Sequence, residues 1–234
     1  MDDKEKSPKI QLWELQAATK EFLGLIMLFV IYVIPTGMML LIAQSSNGKI
    51  GALQVLEILI VMGSVLTLVL VKAKNSQLIG QHHLQILWKN KLWILGAIAI
   101  QILLIYLFPL LLSKLHINFS VSQNQATLAA ATAKIPIFLL IISTTIYAPI
   151  CEEIIFRAGV FERLFPTRRS LSLLISTLLF AMAHMGLSLD WWNWLIYLTM
   201  GLIFGIVYLK TQHVENSIAV HVLWNLFASI INLS

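Results

Sequence analysis

The chain has 234 residues, of which 59% are hydrophobic and 12% charged, with a formal net charge of +5 and a mean hydropathy of +0.85. No soluble domain of this length has a core able to hide so much apolar side chain, so the composition excludes a water-soluble globule and predicts an all-α, polytopic transmembrane helical bundle. The positive charge falls in short loops, where it orients spans and meets anionic lipid, which argues against a nucleic-acid partner; the single cysteine, Cys151, excludes an internal disulfide and any multi-cysteine metal site.

Residues 1–21 are a mixed-charge stretch with apolar Ile10, Leu12, Trp13 and Leu15, which predicts a short cytoplasmic or interfacial helix. The stretch has no compact apolar segment followed by a small-residue cleavage site, so it does not read as a signal peptide. Residues 22–234 read as a single integral membrane domain without repeats or linkers. Apolar runs predict spans at Phe22–Ala43, Ala52–Val71, Leu92–Ser113, Ile135 to about Phe165, Leu171–Leu189, Trp191–Leu209 and Ser217–Leu233, seven in all, with an eighth possible by length. Breaks are signalled at Ser45-Ser46-Asn47-Gly48, Lys74-Asn75-Ser76, Pro166-Thr167 and Gln212-His213. The fourth run is too long for a simple crossing, so it tilts, breaks near Pro149 or projects into a cavity.

Lys4, Lys6, Lys9, Lys20, Lys72, Lys74, Lys89, Lys91, Arg163, Arg168, Arg169 and Lys210 fall on one side of these spans, and Lys49, Lys114 and Lys134 on the other. The positive-inside rule then puts the N-terminus in the cytoplasm and, with seven spans, the C-terminus outside.

Inside the fourth span stand Glu152, Glu153 and Arg157. Each such charge costs roughly 2.5 to 3.5 kcal/mol near the bilayer centre, so all three must face protein or water and have partners. Glu153 and Arg157 are spaced i, i+4 for a stacked ion pair, whereas Glu152, about 100° around the helix, lacks a local partner. Phe180 and His184 repeat that spacing on the fifth span, and His221 and Asn225 on the seventh. Glu152 precedes Phe165 by as many residues as separate Leu171 from His184, which sets both about 20 Å from the cytoplasmic end, with His221 and Asn225 a little shallower. The four would line one cavity open to the cytoplasm.

In order and spacing, Glu-Glu-x-x-x-Arg, Phe-x-x-x-His and His-x-x-x-Asn resemble the motifs of the CAAX-protease and bacteriocin-processing (Abi) family of intramembrane endopeptidases. The likeness covers about Pro149 to Asn225, within a predicted catalytic core at 135–234; the first 130 residues contribute spans alone. The resemblance implies an all-helical fold in a bacterial cell membrane, a cavity reached from the cytoplasm, and a membrane-associated peptide or protein as substrate. It implies Glu152 as the base that activates water with His184, and His221 with Asn225 as donors to the oxyanion. Glu153 and Arg157 would support the helix, or Arg157 would bind a substrate carboxylate.

Taken singly, His184, His221 and Asn225 are residues that commonly hydrogen-bond between helices; the ordered set carries the reading. No cofactor is expected. The alternative is zinc on Glu152, His184 and His221, against which stand the missing helical His-Glu-x-x-His pattern and the loss of the base to the metal unless Glu153 serves instead. Outside catalysis, the same residues would suit a non-catalytic immunity or regulatory protein that binds a peptide. A proton-coupled carrier fits less well, because paired half-length segments are missing.

Cys151 reads as a small helix residue, and His82-His83 as solvated or lipid-facing. Trp191, Trp192 and Trp194 read as an outer aromatic belt, and Gly201-x-x-x-Gly205 as a close-packing surface. Glu57 is a lone carboxylate to which the sequence assigns no role.

Overall fold

The computed structural model describes residues 8–46, 49–114, 132–186 and 190–233. These form eight helical elements: α1 (Pro8–Ser45), α2 (Ala52–Asn75), α3 (His83–Lys89), α4 (Lys91–Lys114), α5 (Ile137–Leu164), α6 (Arg169–Met185), α7 (Trp191–Thr211) and α8 (Val214–Leu233). Among the described residues, six helices are long and apolar enough to cross a membrane, and α6 is a shorter apolar one. Large apolar side chains such as Leu41, Leu53, Leu92 and Ile230 stand exposed around the bundle, a surface that only lipid satisfies. This is an integral membrane protein.

Two expectations change. Residues 8–21 are not a separate short helix; they continue into the first span as one helix, with Met1–Ser7 outside the described residues. The expected fifth span stops early because Gly186, at φ +53°, takes a backbone conformation open to glycine and ends α6 after Met185; Leu187–Leu189 lie outside the described residues.

The long fourth span does not break at Pro149. An α-helical segment, Ala148–Glu153, is flanked by wide π-type turns at Ile142–Tyr147 and Ile154–Leu164, so α5 stays continuous. The Ala148 N–H bonds the Ser143 carbonyl five residues back. Pro149 follows without an N–H, and the next carbonyl in that register, Thr144, instead accepts from Asn225 Nδ2 at 2.8 Å. Every residue from Cys151 to Phe161 is buried, which makes α5 the axis of the bundle.

Glycines set how closely its neighbours approach. A Cβ at Gly159 would lie 2.5 Å from Leu25 Cδ2 of α1, and one at Gly205 would lie 2.5 Å from Leu173 Cδ1 of α6. At Gly201 it would meet the Thr177 carbonyl and the Phe180 ring, each at 3.2 Å, so the small pair on α7 brings α6 and α7 together as expected. Asp190 starts α7 by accepting the N–H groups of Trp192 and Asn193, with Trp191 exposed beside it.

Part of the basic end of the bundle is packed, and a small cavity lined by Glu21, Lys72, Ser76, Ile154 and Arg163 lies beside the packed part. Leu78 and Ile79, between α2 and α3, pack on a cluster formed by Ala158, Phe161, Tyr208 and Val214. Glu215 clamps this plug through the Gly80 N–H at 2.6 Å and His83 Nδ1 at 3.1 Å. His83 is therefore not merely solvated: it faces a buried carboxylate that sequence spacing did not connect with it. Glu57 is exposed on α2, in the second turn of that helix.

Candidate active site

Four helices bring the polar residues together. The α-helical middle of α5 carries Glu152 and Glu153, both buried, and Arg157 follows one turn on, also buried. Arg157 Nε lies 3.1 Å from Glu153 Oε2, and its Nη1 donates to Ser176 Oγ at 3.0 Å. Its guanidinium lies over the Phe180 ring at 4.6 Å, with Phe204 at 5.8 Å. Arg157 is fully buried between α5, α6 and α7, and its Nη2 has no hydrogen-bond partner among the described residues.

Glu153 Oε1 faces His221 Nδ1 at 3.1 Å, and Phe204 stacks on the His221 ring at 4.6 Å and 25°. His184 Nδ1 lies 2.9 Å from the Phe180 carbonyl, and Tyr197 stacks on its ring at 4.6 Å and 27°. A carbonyl only accepts, so His184 carries its proton on Nδ1; the carboxylate at His221 Nδ1 favours the same tautomer. In their neutral forms both imidazoles therefore turn a bare Nε2 inward.

Both of those nitrogens face Glu152. Its Oε2 is 3.6 Å from His184 Nε2 and 3.9 Å from His221 Nε2, beyond a direct hydrogen bond, and has no hydrogen-bond partner among the described residues. Its Oε1 accepts from the Tyr32 hydroxyl of α1. The Glu152 side, unlike the Glu153–Arg157 pair, thus presents acceptors to one point, and chemistry there must bring protons or positive charge. His184 is the accessible member, with its side chain 24% exposed.

The sequence expectation that Glu152, His184 and His221 meet agrees with these distances. Asn225 stands one turn beyond His221 and holds the Thr144 carbonyl, which leaves one of its two amide N–H donors. Spacing did not reveal Tyr32; the available signal was a phenol in the middle of an apolar span, far from the interfaces that tyrosine favours. The first 130 residues thus supply more than spans. Cys151 is buried on the same helix, in keeping with a packing role.

The donor set Glu152, His184 and His221 has the chemistry of a zinc site. Among the described residues no three His, Cys, Asp or Glu side chains form a group that could hold a metal ion.

Residues 134–227 match the family described as type II CAAX prenyl endopeptidase Rce1-like, a segment that contains all three motifs. Among curated proteins, the UPF0177 protein YvdC of Lactococcus lactis is 35% identical over 112 residues, 48% of this chain and 42% of its own. The membrane-embedded CAAX protease MroQ of Staphylococcus aureus is 30% identical over 148 residues, 60% of this chain and 58% of its own. The UPF0177 protein YxdF of L. lactis is 31% identical over 139 residues, 59% of this chain and 75% of its own. The matched segments thus span about half the length of the first two relatives. No solved structure matches.

Proposed function

Because the chain belongs to the CAAX-protease and bacteriocin-processing family, we propose that it is an intramembrane endopeptidase that hydrolyses a peptide bond in a membrane-associated peptide or protein. The observation that carries this reading is Glu152 Oε2, a buried carboxylate oxygen without a protein donor that faces two imidazole nitrogens. Glu153 Oε2, by contrast, has the Arg157 guanidinium 3.1 Å away to compensate its charge.

In the reaction, Glu152 Oε2 accepts a proton from water as the water oxygen bonds to the scissile carbonyl carbon, and His184 Nε2 orients the same water. The carbonyl electrons move onto oxygen, where His221 and the second N–H of Asn225 serve as donors. Because His221 Nε2 is bare in the free site, His221 serves as this donor after taking a proton from solvent at Nε2, and Glu153 at Nδ1 supports the resulting charge. The proton held on Glu152 then passes to the amine nitrogen as the carbon–nitrogen bond breaks. A peptide reaches the site on the His184 side, where the side chain of that histidine is 24% exposed.

Comparative peptidomics of membranes that contain wild-type protein or Glu152→Gln tests the function. Cleavage products present with wild type and missing with the variant are expected. Identical peptide profiles, with host phenotype preserved by the variant, would favour the non-catalytic binding reading.

The mechanism assigns no step to a metal. Purified protein is expected to keep its cleavage rate, within about two-fold, after exhaustive treatment with a zinc chelator. Loss of activity on chelation and its return with added zinc would contradict the carboxylate mechanism and leave the protease assignment standing.

Orientation follows the loop charges, with the N-terminus and the plug between α2 and α3 in the cytoplasm of a bacterial cell. A cysteine introduced at the exposed Gln81 is expected to resist an impermeant thiol reagent in intact cells, while one at the exposed Lys49 reacts. The opposite pattern would invert the topology.

A further inference from the structure

The register between α1 and α5 brings a residue outside the three motifs onto the candidate base. The two helices touch where Leu25 lies over Gly159, and again where Phe29 meets Phe156 with ring centroids 5.7 Å apart. The same distance along each helix in opposite directions as separates the first contact from the site, Tyr32 meets Glu152. Pro35 removes the hydrogen bond to the Ile31 carbonyl and loosens this part of α1. The adjoining carbonyl, that of Tyr32, accepts the Tyr147 hydroxyl at 2.7 Å, and the Tyr32 and Tyr147 rings stack at 5.6 Å. Tyr32 is thus held at its backbone and its ring, and its hydroxyl is directed at one oxygen of one carboxylate.

We propose that Tyr32 is a positioning residue for Glu152: its hydroxyl binds Oε1 and so fixes the carboxylate rotation that turns Oε2 to His184 and His221. A carboxylate torsion is broad, and without this bond either oxygen would face the imidazoles through a range of angles. A phenol has one proton to give and an ionised carboxylate has none, so the bond runs from Tyr32 to Glu152. Oε2 has no competing donor from protein, which leaves it to take a proton from a substrate-bound water. This inference rests on the hydrolase reading above.

The test uses full-length protein in dodecyl maltoside micelles, with an internally quenched octapeptide library as probe. Tyr32→Phe keeps the ring contacts, so its unfolding midpoint is expected to stay close to wild type. Its kcat is expected to fall about 10- to 100-fold with KM nearly unchanged, the pattern of a base that is present but misoriented. The infrared carboxylate band that disappears in Glu152→Gln is expected to shift in Tyr32→Phe. Protein carrying 3-fluorotyrosine at position 32 keeps the donor and is expected to retain kcat.

Full-speed Tyr32→Phe with an unshifted band, beside an inactive Glu152→Gln, would overturn the positioning role and leave the hydrolase reading intact. Undiminished cleavage by Glu152→Gln would overturn both. If Tyr32→Phe does not fold, an infrared band identical in wild-type and fluorotyrosine protein overturns the role, because a donor of altered acidity bound at Oε1 must move it.

Discussion

Glu152→Gln is expected to remain folded and to cleave peptide bonds about 10²- to 10⁴-fold more slowly, the range that a positioned proton-transfer group contributes. The substitution nearly preserves shape, and the new amide oxygen still accepts the Tyr32 hydroxyl. The amide nitrogen then takes the place of Oε2 and donates towards the bare Nε2 atoms of His184 and His221, which ordinary glutamate leaves without a donor. Stability should therefore hold or rise while the base is lost. The unfolding midpoint and the cleavage rate separate the two effects.

Arg157→Ala is expected to destabilise the bundle by about 3 to 5 kcal/mol, the typical cost of removing one partner of a buried ion pair. Glu153 would keep His221 and Ser217 but lose its permanent positive partner, and Ser176, Phe180 and Phe204 would border the space left by the guanidinium. Glu153→Gln should be destabilising in the same way, because Arg157 then lacks its counter-charge. Activity falls in both variants because α5 no longer holds Glu152 in place. Yield of folded protein and midpoint of thermal unfolding in detergent check this; an Arg157→Ala protein as stable as wild type would show that the pair contributes little.

The charge census and the i, i+4 spacings made much of this site legible, because a membrane interior gives each buried charge a requirement that sequence alone displays. Glu153 with Arg157 follows from helical geometry, and the convergence of Glu152 with His184 follows from matching depth. Their partners in the remaining chain were not legible. Tyr32 depends on the register of α1 against α5, which Gly159 and Leu25 set through a contact between helices far apart in sequence. The bond from Asn225 to Thr144 depends on a wide helical turn that no apolar pattern marks, although Pro149 pointed to an irregularity there. The local packing at the basic end depends on Leu78 and Ile79, two apolar residues in a loop too short to read as structure. Continuity of α1 through residues 8–21 was hidden for the opposite reason: polar residues on a helix that extends past the apolar run look like a boundary.

The most direct measurement follows unfolding and peptide cleavage on the same purified preparations of wild type and Glu152→Gln, with the quenched peptide library as substrate. An unfolding midpoint at or above that of wild type, together with cleavage reduced at least 10²-fold, is the expected result. A variant that melts like wild type and cleaves at the same rate would contradict the assignment of Glu152 as the base.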